Sequence, residues 1–481
     1  MEFTNASAAQ SPPTIYDDLK RILSPEATVF LTSNTNLATA GVTEQWNAFG
    51  SPIYVVYAKP ASSDDVKTIV KYAGEQNVPF LAIGGGHGYS TTTSALKGGI
   101  GIDLGNFRDV KVDAENNRLT VGGGVVFNDI FDPLNAVGKE IQTGSCSYVG
   151  MVGATLGGGI GPYQGIHGLL LDALKSVTIV TGSNEIVTAS EEENSDLFWG
   201  IRGAGQNFGV VTSATYQIFD QTNNGNAFNG DFVYPASAKE TIFTLAKSIS
   251  NDQPDALSMF PSIIYDFQTQ QTAIMMSVIY VGPESEGQKY MQPFIDNGPI
   301  RQDVKVLPWN TLVKENRFGV DALACMKGGK HSVYGLNVKE FDVATYVDLV
   351  DSFESFHKNN PANVASILVL ELFPNRVTQL VPDDATAFPY RSNLGYMFMS
   401  FIFADEAAAA TAEAFAMATR DKLLISGGIK NPIEVYVNYA HGDEGSVAWY
   451  TERKLPKLLE LKKQWDPKGL FNWSNPFNVA V

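Results

Sequence analysis

Glycine gathers in four dense stretches in the first half of this chain, and that constrains its fold more than any other feature. The stretches are Gly84-Gly85-Gly86-His87-Gly88, Gly122-Gly123-Gly124, residues 153–161 (GATLGGGIG) and residues 200–209 (GIRGAGQNFG). Glycine admits positive φ and lets a backbone approach another group closely. Successive N–H groups in such turns bind anions, phosphates above all. One such loop reads equally well as a tight turn. Four in one unit point to a long, phosphate-bearing ligand. The usual nucleotide signatures are missing. No G-x-x-x-x-G-K-[ST] occurs, and the glycines at 203–209 miss the dinucleotide spacing by one residue and precede a strand.

Around these loops the pattern alternates. Residues 53–57 (IYVVY) predict a strand. Ser63 is a plausible N-cap for a helix carrying Val66, Ile69, Val70 and Ala73 at helical spacing, and residues 78–83 predict a second strand. The first glycine loop therefore follows a β-α-β unit and precedes another strand at 99–104. Further strands are expected at 118–124 and 208–219, a helix at 126–137, and a hairpin over 174–189 turning at Gly182-Ser183-Asn184. From about residue 226 the pattern changes to long strands at 257–267, 272–282, 364–373 and 396–404, with helices near 340–358 and 405–423. This predicts an α+β chain with a large sheet covered by helices on one face.

With 481 residues, 44% of them hydrophobic, the chain can bury a large core in two or three domains of ordinary size. A formal charge of −17 without a Lys/Arg cluster argues against nucleic acid and anionic membranes as partners. No apolar run reaches the ~18 residues that span a bilayer. The first thirteen residues show no signal-peptide pattern, which leaves the compartment open. The oligomeric state is likewise not encoded in any motif. The two cysteines, Cys146 and Cys325, exclude a disulfide framework but admit a single bridge.

The first glycine stretch and a separate Gly/Ser loop at 143–150 each hold a candidate reactive side chain. His87 is one of five histidines. No second His, Cys or carboxylate sits at ligand spacing from it, so no metal site is expected. Flanked by glycines, its imidazole would lie beside whatever the amides hold; the alternative is an ordinary surface or hydrogen-bonding histidine. Cys146, in Gly144-Ser145-Cys146-Ser147-Tyr148-Val149-Gly150, is either a thiol activated by nearby N–H groups or a small buried side chain. Cys325 has a core-like setting. Glu371 is the one charge in an apolar strand, sharing a face with Ile367, Val369 and Phe373. Buried, it would have a raised pKa and could act as a base; at a sheet edge it would be solvated. The aromatic, Met-rich strand at 396–403 reads as pocket wall or core.

The chain resembles the berberine bridge enzyme-like flavoprotein oxidases of the vanillyl-alcohol oxidase superfamily, with their PCMH-type FAD-binding domain. The resemblance rests on Gly84 to Ser90 (GGGHGYS), Cys146-Ser147-Tyr148-Val149-Gly150 leading into Leu156 to Gly161 (LGGGIG), and Asp196 to Gly205. It continues through Asn207-Phe208-Gly209-Val210-Val211-Thr212, Tyr436-Val437-Asn438-Tyr439 and Asp466-Pro467 before Phe471. It implies a split FAD-binding domain from both chain ends (28–225 and 435–481) and a substrate domain (226–434) with an antiparallel sheet. It implies FAD bonded twice, His87 to the 8α-methyl carbon and Cys146 to C6. The cofactor-binding set it implies comprises Gly84, Gly85, Gly86, Gly88, Tyr89, Ser90, Gly144, Ser145, Val149, Gly150, Gly153, Ala154, Gly157, Gly159, Gly209, Val211 and Asn475. The implied reaction is hydride transfer from a small-molecule substrate, such as a secondary-metabolite intermediate, to flavin N5, with O2 as electron acceptor and hydrogen peroxide as product. A carbohydrate oxidase and a flavin-scaffold cyclase of the Diels–Alder type are the alternatives. Tyr439 matches the family's tyrosine base, its other reading being ring packing over the flavin. With Tyr436 and Asn438 taken as alternating along one strand, Tyr439 is expected to share a face with Val437.

Overall fold

A computed structural model describes residues 10–36, 39–426 and 433–477. Residues 1–9, which contain most of the segment read for a leader, and 478–481 lie outside the described residues.

The β-α-β reading at the start of the chain is met. Strands β1 (Thr28–Leu31), β2 (Ile53–Lys59), β3 (Phe80–Ile83) and β4 (Lys97–Asp103) form a sheet in the order β1-β2-β4-β3, with β4 parallel to both β2 and β3. The crossover is the helix Ser63–Gln76. Its N-cap is Ser62, one residue before the expected position: the Ser62 side chain accepts from the amide of Asp65. The loop Gly84–Ser90 leaves the end of β3.

A second sheet contains β5 (Val110–Asp113), β6 (Arg118–Gly122), β8 (Leu174–Thr181), β9 (Ile186–Ser190) and β10 (Gly209–Gln217), ordered β5-β6-β10-β8-β9 and antiparallel throughout. The hairpin expected over 174–189 is β8–β9. A short ribbon pairs β7 (Lys139–Glu140) with β11 (Phe219–Asp220).

The third sheet has seven antiparallel strands: β12 (Asn226–Pro235), β13 (Leu257–Asp266), β14 (Gln271–Tyr280), β15 (Arg301–Pro308), β16 (His331–Val338), β17 (Ile367–Glu371) and β18 (Gly395–Ile402). Their order is β15-β12-β14-β13-β17-β18-β16. Helices Lys239–Ser250, Val343–Asn359 and Glu406–Ser426 cover one face. Met259, Ile274, Leu368, Leu370, Met397 and Met399 pack there against Phe243, Tyr346, Phe353 and Ala412. The other face carries Phe260, Val369, Phe373 and Tyr396 into the core shared with the glycine-rich half. The structure therefore splits the strand at 396–403 between its two readings by simple alternation. Strands β12, β15 and β16 escaped the sequence reading. Polar and glycine residues such as Asn229, Gly230 and Asp231 interrupt the usual alternation, yet all three are buried.

Residues 436–439 differ from expectation. Val437–Tyr439 is a single 3-10 turn, not a strand. The run is pinned from outside: the Tyr436 amide donates to Asn337 Oδ1 at 3.0 Å, and Asn475 Nδ2 donates to the Val437 carbonyl at 2.9 Å.

The chain end returns to the glycine-rich half through a buried ion pair. Lys462 Nζ lies 2.8 Å from Asp466 Oδ2, with both side chains essentially inaccessible. Lys462 also donates to the carbonyls of Asn207 and Phe471, while Asp466 accepts from the amides of Leu470 and Phe471. Removing one partner leaves an uncompensated buried charge. Asp466→Ala is therefore expected to destabilise the fold by about 3–5 kcal/mol, read as a lowered urea midpoint. An unchanged midpoint would mean that the pair does not hold the C-terminal return.

Candidate functional site

Three loops meet backbone to backbone. A Cβ on Gly85 would lie 2.4 Å from the Gly150 amide nitrogen, and one on Gly84 would lie 2.9 Å from the Gly123 carbonyl oxygen. These glycines exist because chain packs on chain. Gly86 has φ of +68° and Gly159 of +79°; the Gly159 amide donates to Tyr436 Oη at 2.9 Å. Gly88 and Gly153 are different: a Cβ on either would meet nothing within 4 Å, so both border open space.

The other expected cofactor residues surround this junction. Gly144 packs against the Phe127 ring, and the Val149 carbonyl accepts from the Phe127 amide. Gly157 abuts the Asn438 amide group, whose Nδ2 donates to the Ala154 carbonyl at 2.9 Å. Gly209 and Val211 belong to β10, with Val211 buried. Ser90 donates to Asn475 Oδ1 at 2.5 Å, and the Asn475 amide donates to Thr92 Oγ1 at 3.0 Å. Asn475 thus ties the chain end to the first glycine loop.

His87 stands at this junction with its Nε2 buried and without a hydrogen-bond partner. Burial, helped by the nearby Lys327 ammonium and by His331, pushes its pKa down to about 3, so the ring is neutral. A neutral imidazole with a free nitrogen is a nucleophile without a task in the protein alone. Trp46 stacks on it at 5.7 Å between centroids and on His331 at 4.0 Å, both with 19° between planes. Lys327 donates to the Gly85 carbonyl, and burial lowers its pKa to about 8.

Cys146 requires a correction. It forms a disulfide with Cys325, 179 residues away, with the two Cα atoms 6.3 Å apart. A sulfur so bonded has no thiolate, so the thioether to flavin C6 expected from the resemblance is not compatible with this arrangement. Asp321 has a carboxylate oxygen within 4.8 Å of both sulfurs, but the bridge takes up the sulfurs. That carboxylate instead accepts from the Ser147 amide at 3.0 Å and from its hydroxyl. Cys325 follows the short helix Asp321–Ala324, where sequence alone offered only a core-like setting.

The two candidate bases are brought together. Tyr439 Oη donates to Glu371 Oε2 at 2.8 Å, and Ser145 Oγ donates to Oε1 at 3.0 Å. β17 lies inside the sheet between β13 and β18, so Glu371 is buried and the solvated reading is excluded. Burial raises its pKa; the two hydrogen bonds and the Arg317 charge oppose this. Burial and then Glu371 hold Tyr439 well above its ordinary value, so it is protonated here rather than the acidified phenol a lone base would need. Phe398 at 5.1 Å and Tyr436 at 5.1 Å enclose the Tyr439 ring.

Trp46, Lys327, His331 and Arg317 were not foreseen. None lies in a glycine motif, and only the fold carries them to His87 and Glu371.

The free His87 nitrogen, the open edges at Gly88 and Gly153, and the paired Tyr439 and Glu371 fit a flavin placed between the glycine loops and the sheet. The geometry defines a flavoenzyme scaffold, and comparison with known proteins agrees. The FAD binding domain model matches residues 54–190, and the berberine and berberine-like model matches residues 435–477. The FAD-linked oxidoreductase srdI of Neurospora crassa is 37% identical over 482 residues, covering 99% of this chain and 95% of that protein. The FAD-linked oxidoreductase azaL of Aspergillus niger is 38% identical over 444 residues, covering 92% and 93%. A glucooligosaccharide oxidase from Acremonium strictum shares the fold with TM-score 0.82 at 20% identity, covering 97% of this chain and 99% of that one. Physcomitrella patens BBE-like 1 does so with TM-score 0.81 at 19%, covering 98% and 100%. The chain belongs to the berberine bridge enzyme-like family and is an FAD-linked oxidoreductase.

His331 sets an acid limit on stability. Burial lowers its pKa from 6.5 to about 4. Between those values the unfolded chain binds the proton and the folded chain does not, so stability rises with pH across that window. This contribution is complete above pH 6.5 and is lost as pH falls toward 4. His87 adds to the same fall, so His331→Gln should lessen rather than abolish the drop of the urea midpoint over that range; an unaltered slope would remove His331 as a contributor.

Proposed function

We propose that this protein is an oxidase of a small organic substrate that holds FAD covalently through His87 and uses Tyr439 and Glu371 to remove the substrate proton. Bound FAD supplies a hydride acceptor and returns the electrons to dioxygen, giving hydrogen peroxide.

The observation that carries the reading is the buried hydrogen bond from Tyr439 to Glu371. Tyr439 keeps its own proton, which is already directed at a carboxyl group, and its phenolic oxygen retains lone pairs. A substrate hydroxyl can pass its proton to that oxygen as the tyrosine proton moves to Glu371. The phenol need never ionise, which removes the need for a lowered tyrosine pKa. Ser145 holds the second oxygen of Glu371 and so orients the carboxyl group. The free Nε2 of His87 supports attachment at that position. The domain division at about 226 and 434 follows the same reading, with the flavin between the sheet and the glycine loops.

Denaturing intact-mass analysis should show the wild-type chain heavier by ~785 Da, the mass of FAD. His87→Ala should lack the adduct. Retention of the adduct would place the attachment elsewhere; Cys146 could provide it only with its bridge to Cys325 open.

Peroxide release should be screened against a panel of benzylic and allylic alcohols, with cello-oligosaccharides as the sugar arm. With an active alcohol, Glu371→Gln and Tyr439→Phe are each expected to lower kcat by ~10²–10⁴-fold. Because burial raises Glu371, kcat/KM should climb with pH along a limb above the ordinary carboxylate range. Glu371→Gln should abolish that limb. Full activity in either variant would remove the relay, and turnover of sugars alone would redirect the substrate class.

A further inference from the structure

The register of the seven-stranded sheet sets polar side chains in a row across its substrate-side face. Asp231 of β12 is opposite Asp303 and Ser277, and Ser277 is opposite Phe260. The β13–β17 register continues through Met259 and Leu372, which places Phe260 opposite Glu371. Glu371 is opposite Tyr396, and Tyr396 is opposite Asn337. Two buried carboxyl groups thus stand in one row with a phenyl ring and a serine between them.

Arg317 lies above this gap. Its guanidinium carbon is 5.6 Å from the centre of the Phe260 ring, and the group donates to the Ser145 carbonyl. Its Nε is buried without a partner. No carboxylate oxygen lies within 4.0 Å of it among the described residues. Neither row carboxylate is free to serve. Asp231 accepts from Ser277 Oγ at 2.6 Å, Asn229 Nδ2 at 3.0 Å and the Phe318 amide at 3.1 Å. Glu371 is taken by Tyr439 and Ser145. A half-buried guanidinium over an aromatic ring, with one buried N–H unused and no carboxylate in direct contact, is suited to receive an anion.

The backbone is shaped to hold it there. Arg317 and Phe318 have φ of 53° and 58°, conformations that bulky residues rarely adopt. Asp231 secures the bend through the Phe318 amide, while Arg301 stacks on the Phe318 ring at 4.9 Å. Strain over-determined by such contacts gathers at ligand-binding segments.

We propose that Arg317 is a substrate-binding residue that receives an ionised oxygen of the substrate, a carboxylate or phenolate, beside the Tyr439–Glu371 couple, with Asp231 as its positioning residue. The substrate is then an acidic aromatic or enolic compound, not a neutral sugar. This deepens the oxidase reading and rests on it.

The test uses the purified flavin-loaded protein with benzoate and pentafluorophenolate as anionic probes and benzamide as the neutral control. Binding is read by the flavin difference spectrum and independently by equilibrium dialysis. The wild type should prefer benzoate over benzamide by about tenfold or more, as a charge-assisted hydrogen bond provides. Arg317→Gln should bind the two alike while keeping its yellow colour. Arg317→Lys should keep part of the preference, and Asp231→Asn should weaken it. Pentafluorophenolate bound as tightly as benzoate assigns a phenolate as well as a carboxylate to the site. No preference in the wild type, or a preference that survives in Arg317→Gln, overturns the proposal. A change in the resting flavin spectrum of Arg317→Gln with the preference intact also overturns it, because the residue would then serve the flavin. A colourless wild type would count against the oxidase reading instead, while dialysis would still show whether Arg317 selects the anion.

Discussion

The close approach of Gly85 to Gly150 is the contact on which the rest of the site depends. Any side chain at the Gly85 position would place a carbon 2.4 Å from the Gly150 amide nitrogen. No adjustment of a rotamer relieves a clash with backbone. The two loops can therefore meet only if both lack Cβ atoms, and their meeting sets the loop of His87 against the loop that carries Cys146. Much of the glycine that reads as a phosphate cradle is spent on this packing. Only Gly88 and Gly153 are left with open space in front of them.

Opposite these loops stands a sheet face that inverts ordinary burial. Helices on the other face receive the methionines and leucines, so the face toward the glycine loops carries Asp231, Ser277, Glu371 and Asn337 among aromatic rings. Each carboxyl group is kept there by donors: Ser277, Asn229 and a backbone amide for Asp231, Tyr439 and Ser145 for Glu371. Burial without these partners would cost several kcal/mol. The same donors that make the burial tolerable also orient the groups, which is what proton transfer and recognition require. Pairing Tyr439 with Glu371 also resolves a difficulty. A lone buried tyrosine would be a poor base, and the proposed relay avoids this by passing the tyrosine proton to the neighbouring carboxylate.

Much of the architecture was legible in local pattern. The parallel β2-β4-β3 unit, the β8–β9 hairpin and the β13–β14 pair follow from alternation and turn residues. The errors are equally physical. Residues 436–439 alternate like a strand, yet Asn337 and Asn475 hold their backbone as a turn from more than 30 residues away. β12 was missed because its inward residues are polar. Glu371 had two readings because no local signal tells whether a strand is central or at an edge; the sheet order decided it.

Sequence alone determined the chemical inventory: the glycine loops, the histidine within them, the lone carboxylate in an apolar strand and the tyrosine near the chain end. The family resemblance that several of them carry implied a flavin-binding oxidoreductase. Only the tertiary structure decided who meets whom. It paired Cys146 with Cys325, joined Tyr439 to Glu371, and set Arg317 over Phe260 with no carboxylate in direct contact among the described residues. These partners are 57 to 179 residues apart. Contacts of that kind arise from sheet register and loop packing, which depend on the whole chain folding at once and leave no periodic trace in any short stretch of it.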